Sequence, residues 1–215
     1  MELLNRFAED NNGKIIHISK ALSGTDYYCP ECKEKFILKK GDIRQHHFTH
    51  NHASANCSGE GYLHKTFKKM LFEKIRNCIN EKRPMNIIWK CNFCHTILPV
   101  NLLTKNCDVK DEYDMKVCKP DIALLNNKGD VDVVFEIIVT HKPEDNVLNY
   151  YKEKSIILIQ IELNSENDLE NIDETLEKHS IIKFPPDLSN FCINPNCISR
   201  RNNYRIRRRG KSRRF

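Results

Sequence analysis

The chain has 215 residues, a formal net charge of +6 and ten cysteines. This length fits one medium domain with a small accessory module, which can bury a core without disulfide bridges. The sequence contains no apolar run of about 18 residues and no secretory signal, so we expect an intracellular, cytoplasmic protein that is neither secreted nor embedded in a membrane. In that setting the cysteines are expected to be metal ligands or buried thiols.

The first motif along the chain is a pair of cysteines, Cys29 and Cys32, and His47 and His50 repeat the same spacing downstream. Two such pairs can supply the four ligands of a tetrahedral zinc ion. The predicted ligands of this structural zinc are Cys29, Cys32, His47 and His50. The alternative is a solvated polar loop, and nearby substitutes for a misassigned ligand are His46, His52 and Cys57.

A long amphipathic helix follows the zinc motif. Its apolar positions recur at helical spacing and are Leu63, Phe67, Met70, Leu71, Ile75, Cys78 and Ile79. His64 and Lys68 lie one turn apart on another face of this helix, a spacing that is also ordinary on a solvated surface.

A second set of cysteines begins after the predicted strand at 86–89. Cys91 and Cys94 form another CxxC pair, and Cys192 and Cys197 lie near the end of the folded region. A second zinc bound by Cys91, Cys94, Cys192 and Cys197 would join distant parts of the chain. One alternative is a local site completed by His95, Cys107 or Cys118, and the other is that no metal binds here.

Two acidic residues interrupt apolar strands in the middle of the chain. Asp121 lies in the segment Cys118–Leu125, Glu136 lies in Val131–Val139, and residues 126–130 form the predicted turn between the strands. Burying a carboxylate without a partner is costly, so the two are predicted to share a cation. Carboxylate oxygens suit Mg²⁺ or Mn²⁺ better than zinc. The alternative is that both acids lie at strand edges and face water.

A helix at 145–154 and a strand at 155–163 come next, so the order is helix, strands, helix, strand. This order, with ProAsp on one strand and an acid on the next, resembles the PD-(D/E)xK nuclease superfamily. Within it, the sequence resembles the competence-protein CoiA-like family, whose members look like a small zinc-binding module fused to a nuclease core. The residues that carry this resemblance are Tyr28–Cys32, Gly41, His47–His50, His64 with Lys68, Pro120–Ile122 and Glu136–His141.

The resemblance implies an α/β core with a mixed central sheet flanked by helices, and small zinc-ribbon-like modules. It implies a Mg²⁺- or Mn²⁺-dependent endonuclease or exonuclease acting on DNA in processing, recombination or repair. The catalytic residues that follow from it are Asp121, Glu136, Glu112, Lys68, His141, Glu60 and His64. Glu112 and Glu60 are also readily explained as ordinary surface acids.

The sequence departs from the superfamily pattern at Ile138, where a lysine is expected two residues after Glu136. Isoleucine cannot stabilise developing negative charge. Lys68, His141 or Lys142 would have to compensate. Without compensation the chain would be a catalytically inactive nucleic-acid-binding protein, and a third class to consider is a zinc-stabilised structural or adaptor protein.

The last 17 residues form a basic tail with too few apolar residues to pack, so residues 199–215 are expected to be disordered. Such a tail is typical of a nucleic-acid-binding arm, although it could also serve solubility or localisation. Its charged residues are Arg200, Arg201, Arg205, Arg207, Arg208, Arg209, Lys211, Arg213 and Arg214. The expected organisation is a zinc module at 1–58, a nuclease-like core at 59–198 with a cysteine-rich insertion around 90–118, and the tail.

Overall fold

A computed structural model describes residues 4–52, 57–91, 94–183 and 197. The N-terminal part is an antiparallel sheet of five strands, in the order β2-β1-β3-β4-β5. The strands are β1 (Phe7–Glu9), β2 (Ile15–His17), β3 (Tyr27–Tyr28), β4 (Lys35–Lys39) and β5 (His47–His50). The N–H of Phe48 donates to the carbonyl of Asn5 at 2.9 Å, which brings the last strand back towards the first. On this sheet, the buried rings of Tyr27 and Phe36 both pack against the buried ring of Phe48.

Helix α1 (Gly59–Asn80) follows the sheet. It begins at the N-cap Ser58, whose hydroxyl accepts a hydrogen bond from the N–H of Gly61 at 3.0 Å. The predicted apolar stripe is buried at its centre, where Leu63, Phe67 and Leu71 are fully covered. Their spacing of four residues places them on one face, so this face of the helix forms one wall of the core.

A two-stranded hairpin comes after α1, and it consists of β6 (Asn86–Lys90) and β7 (Ile97–Asn101). The side chains of β6 alternate, with Ile87 and Trp89 buried and Ile88 exposed. This alternation is the period-2 pattern of a strand with one face on the core. The hairpin forms a separate small sheet within the described residues.

The second five-stranded sheet is mixed and has the order β12-β11-β10-β9-β8. Its strands are β8 (Asn106–Asp111), β9 (Ile122–Asn126), β10 (Val131–Ile138), β11 (Ile157–Glu162) and β12 (Ser180–Lys183). The turn between β9 and β10 places Gly129 at φ +83°, a conformation that glycine adopts without strain. β10 and β11 run parallel, and helix α2 (Asp145–Glu153) connects them, whereas the other pairs are antiparallel.

Both faces of this sheet are buried. One face packs towards α1 through residues such as Leu124, Phe135 and Ile159. The other face packs on α2, where Ala123, Val134 and Leu158 surround Tyr151. A short 3-10 helix (Glu166–Leu169) and helix α3 (Ile172–His179) lie between β11 and β12.

The N-terminal sheet and the mixed sheet share one hydrophobic core through α1. A buried polar contact also joins them, because Glu166 accepts hydrogen bonds from the hydroxyl of Tyr62 at 2.9 Å and from the N–H of Arg6. Tyr62 is in α1, and Arg6 lies just before β1. The residues on either side of position 58 therefore contribute to one continuous core.

The architecture is mixed α/β, as expected from the sequence. No helix in the described part of the chain is long and apolar enough to cross a membrane. Cys192 and the basic tail that includes Arg200–Arg214 lie outside the described residues.

Candidate active site and metal centres

Asp121, the residue directly before β9, lies beside Glu136 on the neighbouring strand β10. Phe135 on β10 pairs with Ile122 on β9, and the next step of this antiparallel register brings Glu136 opposite Asp121. On its other side, Glu136 pairs with Gln160 in the parallel register of β10 and β11. One row across three strands therefore carries two carboxyl groups and an amide.

Asp121 is held by two donors. Its Oδ2 accepts a hydrogen bond from Nε2 of His64 at 3.0 Å and another from the N–H of Ile137 at 2.9 Å. Because a carboxylate only accepts, the Nε2 atom of His64 carries the hydrogen. The predicted helix residue His64 thus meets a predicted strand acid, although 57 positions separate them in the sequence.

Glu136 lies deeper than Asp121, on the α2 side of the sheet. The hydroxyl of Tyr151 donates to its Oε1 at 2.7 Å. Burial, reinforced by the negative charge of Asp121, raises the pKa of Glu136 to about 7, against the lowering effects of the Tyr151 hydroxyl, the Asp121 N–H and His64. A cation bound beside this carboxyl group would offset both the cost of its burial and the repulsion from Asp121.

Glu112 and Lys68 lie next to this row. The N–H of Glu112 donates to the carbonyl of Asp121 at 3.1 Å, and its carboxylate accepts from Nζ of Lys68 at 2.5 Å. This hydrogen bond and the ammonium charge lower the pKa of Glu112. Lys68 is thus an ion-pair partner of Glu112 and sits one turn of α1 after His64.

Glu60 and His141 meet at the start of α1. The carboxylate of Glu60 accepts hydrogen bonds from the hydroxyl of Thr140 and from Nδ1 of His141, which is 3.1 Å away. The hydrogen bond from the Thr140 hydroxyl lowers the pKa of Glu60, and the hydrogen bond from His141 lowers it further. His141 is 90% exposed at its side chain, so this group borders the solvent.

Ile138 is buried, with 4% of its surface exposed. It pairs with Glu162 on β11 and provides no charge where the superfamily pattern has a lysine. His64 contacts the carboxyl row directly, while Lys68 and His141 contact Glu112 and Glu60.

Two neighbours of Glu136 were not identified from the sequence. Tyr151 is fully buried in α2, and Gln160 is 3% exposed with an Nε2 atom that has no hydrogen-bond partner among the described residues. A polar residue within the apolar run 156–161 was the available signal for Gln160. Nothing in the helical pattern of α2 distinguishes Tyr151 from its neighbour Tyr150.

The first candidate metal centre is a cluster of three cysteines and one histidine. The potential ligand atoms of Cys29, Cys32, His50 and Cys57 all lie within 4.8 Å of one another. The sulfur atoms of Cys29 and Cys57 are 3.5 Å apart, and Sγ of Cys32 is 3.2 Å from Nε2 of His50. Three thiols and an imidazole make up a ligand set that could hold a metal such as zinc.

His47 belongs to the predicted ligand set but not to this cluster. Its place is taken by Cys57, one of the substitutes named from the sequence. His47 and His50 are the two ends of strand β5 and not members of a turn. Because side chains alternate along a strand, residues three apart point to opposite faces. Nδ1 of His47 is 2.8 Å from the carbonyl oxygen of Gln45.

Glu31 connects this cluster to α1. Its carboxylate accepts hydrogen bonds from Sγ of Cys57 at 3.0 Å, from the N–H of Ser58 at 2.9 Å and from the hydroxyl of Ser58 at 3.0 Å. Burial, followed by this hydrogen bond to Glu31, raises the pKa of the Cys57 thiol. Glu31, one of the two residues between Cys29 and Cys32, thus orients both Cys57 and the cap of α1.

A second cluster contains Cys91, Cys94 and Cys197, whose sulfur atoms also lie within 4.8 Å of one another. Of the predicted set, Cys192 lies outside the described residues. The residues of the alternative local site are not in this cluster, since Cys107 is exposed on β8 and Cys118 donates to the hydroxyl of Tyr151. The structure therefore brings together three cysteines of the predicted long-range set, and the residues of the local alternative lie outside the cluster.

Comparison with known proteins gave one match. Residues 11–60 match the family model described as Competence protein CoiA, N-terminal domain. This range includes all four residues of the first cluster. No curated protein and no solved structure matches the chain.

Proposed function

We propose that the protein is a metal-dependent nuclease that cuts DNA at the row formed by Asp121 and Glu136. The observation that carries this proposal is the position of two carboxyl groups next to each other, one directly before β9 and one on β10, with the pKa of Glu136 raised to about 7 by burial and by the charge of Asp121. A partly buried pair of this kind is a site where a divalent cation offsets an electrostatic cost.

A Mg²⁺ or Mn²⁺ ion held by Asp121 and Glu136 would supply charge neutralisation at the scissile phosphate and an activated water. His64 holds Asp121 through its Nε2–H and keeps that carboxylate oriented. Tyr151 does the same for Glu136. Glu112 is available as a further carboxylate, and its partner Lys68 brings a positive charge to the same end of the sheet.

The biological setting that we propose is DNA processing connected with competence, in recombination or repair. The support for it is the match of residues 11–60 to the N-terminal domain of a competence protein. The proposed zinc at Cys29, Cys32, His50 and Cys57 has a structural role, because its ligands are thiols and an imidazole contributed by the small N-terminal sheet and the start of α1.

The test is a cleavage assay on single-stranded, duplex and branched DNA with Mg²⁺ or Mn²⁺. Asp121→Asn and Glu136→Gln should each lower the rate by at least about a hundredfold, because each removes a ligand charge from the reacting centre. Asp132→Asn is the matched control, since Asp132 is an acid on the same strand as Glu136 and its side chain bonds only to Asn126 among the described residues. Equal cleavage by wild type and both variants would refute the proposed centre.

A second candidate function is that of a nucleic-acid-binding protein without catalysis. The observation that favours it is Ile138, an apolar, buried residue at the position of the superfamily lysine. In addition, both carboxyl groups are already bonded by protein donors. Wild-type protein that binds DNA but cuts none of the substrates in either metal would establish this second function over the first.

A further inference from the structure

The two CxxC pairs of the chain lie in hairpin loops of the same construction. Each loop has six residues, 29–34 and 91–96, and each is closed by one strand pair, Tyr28 with Lys35 and Lys90 with Ile97. The first loop belongs to the first metal cluster. The second lies at the tip of the separate hairpin β6–β7, far along the chain from the matched residues 11–60.

Two backbone hydrogen bonds of the first loop recur at the corresponding described residues of the second. The N–H of Cys29 donates to the carbonyl of Glu34 and the N–H of Cys91 to that of Thr96, both at 2.9 Å. The N–H of the residue after the second cysteine then donates back to the first cysteine, from Lys33 at 3.0 Å and from His95 at 2.9 Å.

Both loops also place the residue after the second cysteine in the left-handed region, with φ +64° at Lys33 and φ +56° at His95. Neither residue is glycine, so each loop maintains a conformation that costs free energy. Two unrelated stretches of sequence thus share this strained residue and the two hydrogen bonds, and what they have in common in sequence is a cysteine at the first and the fourth position.

A third cysteine completes the resemblance. Cys197 is fully buried, and its sulfur lies 3.7 Å from that of Cys91, which is 1% exposed. The sulfur of Cys94 lies within 4.8 Å of both. Cys57 has the corresponding place in the first cluster, where it approaches Cys29 from outside the loop.

We propose that Cys91, Cys94 and Cys197 bind a second zinc ion, which fastens the C-terminal end of the core to the hairpin β6–β7. Three thiolates favour zinc over the hard cations that suit Asp121 and Glu136. A two-stranded hairpin is marginal by itself in water, so a metal at its tip has a structural purpose. The site does not depend on nuclease activity.

The anchor also has a consequence for the basic tail. Residue 197 directly precedes the segment that carries nine positive charges between Arg200 and Arg214. A zinc ion that holds Cys197 beside Cys91 sets the point on the core from which this segment starts.

The first experiment is zinc stoichiometry on the full chain purified without chelator, by native mass spectrometry and elemental analysis. Wild type should carry two zinc ions, whereas Cys91→Ser and Cys29→Ser should each carry one. Cys78→Ser is the matched control for a buried cysteine, because Cys78 lies in the core on α1 outside both clusters, and it should keep two. Two zinc ions in Cys91→Ser, or one in wild type that only Cys29→Ser loses, would overturn the proposal.

A measurement on wild type covers the case in which Cys91→Ser fails to fold. Thiol alkylation of the native protein, mapped by mass spectrometry, should label the exposed Cys107 at once and the half-buried Cys94 only after a chelator removes the metal. The emission of Trp89, the single tryptophan and two residues from Cys91, should change when zinc is restored. Rapid labelling of Cys94 without chelator, or a disulfide between Cys91 and Cys197, would exclude the zinc ion.

Discussion

Glu136 is the residue whose protonation the fold alters most clearly within the candidate active site. Burial and the neighbouring charge of Asp121 raise its pKa from 4.5 to about 7. The folded protein therefore binds this proton more tightly than the unfolded chain does. Between about pH 4.5 and pH 7 the contribution of Glu136 to the free energy of unfolding falls as the pH rises, by up to about 1.4 kcal/mol per pH unit.

We predict that, without a divalent cation, the free energy of unfolding of Glu136→Gln minus that of wild type is larger at pH 8 than at pH 5. Glutamine retains the shape of the protonated acid but cannot ionise. Urea unfolding of both proteins at the two pH values measures the difference, and Asp132→Asn controls for removing an acid from β10. A difference between wild type and Glu136→Gln that is the same at both pH values would contradict a raised pKa.

Cys57 and His47 offer a second test at the scale of single residues. We predict that Cys57→Ser loses the zinc of the first cluster, whereas His47→Ala keeps it, because Cys57 is in the cluster and His47 is on the other face of β5. Elemental analysis of both variants checks this. The opposite result would restore the ligand set expected from spacing alone.

The two ligand assignments show what spacing can and cannot predict. Cys29 and Cys32 were identifiable because two cysteines in one tight turn must lie close together. His47 and His50 have the same spacing, but an alternating strand separates them, and the spacing alone does not distinguish a turn from a strand. Cys57 approaches from the start of α1, a tertiary contact that no local pattern encodes.

At the scale of elements, the start of α1 depends on Glu31. Its carboxylate occupies the space beside Gly61, where an added Cβ would lie 2.0 Å from Oε1 of Glu31. Glycine in a helix costs up to about 1 kcal/mol relative to alanine, so its presence here has a steric reason. Gly61 keeps room for the side chain that bonds Cys57 and Ser58.

We predict that the change in the free energy of unfolding caused by Gly61→Ala is more favourable by at least about 1 kcal/mol in a Glu31→Ala background than in wild type. In wild type the new methyl group displaces Glu31 from its hydrogen bonds, whereas without Glu31 only the gain in helix propensity remains. A double-mutant cycle by denaturant unfolding measures this coupling. Additive effects of the two substitutions would show that Glu31 moves aside without cost.

The periodic elements were largely predictable from the sequence. The stripe through Leu63, Phe67 and Leu71 predicted α1, and the apolar runs around Asp121 and Glu136 predicted β9, β10 and their turn. The spacing of apolar residues along the chain reflects which face of a helix or strand is buried, so it locates these elements well. It does not report which elements meet, so the contacts of Tyr151 with Glu136 and of Cys197 with Cys91 required the structure.

At the scale of the molecule, the candidate sites are arranged along α1. The first cluster adjoins its N-cap, Glu60 meets His141 in its first turn, and His64 and Lys68 reach the strand ends that carry Asp121 and Glu112. A helix of 22 residues thus links the proposed zinc site to the proposed catalytic centre. Loss of the first zinc should therefore displace His64 as well as the N-terminal sheet.

The distribution of charge over the whole chain leads to the last prediction. Nine positive charges between Arg200 and Arg214 exceed the net charge of +6, so the rest of the chain is net negative and would by itself repel DNA. We predict that deleting residues 199–215 lowers DNA affinity and flattens the slope of log affinity against log salt. The slope should flatten by about 0.9 for each phosphate of duplex DNA that the shortened chain no longer neutralises. A chain in which the eight arginines of the tail are replaced by lysine is the matched control and should keep most of the slope, because lysine also neutralises phosphate. A deletion that leaves the slope unchanged would assign DNA binding to residues 1–198.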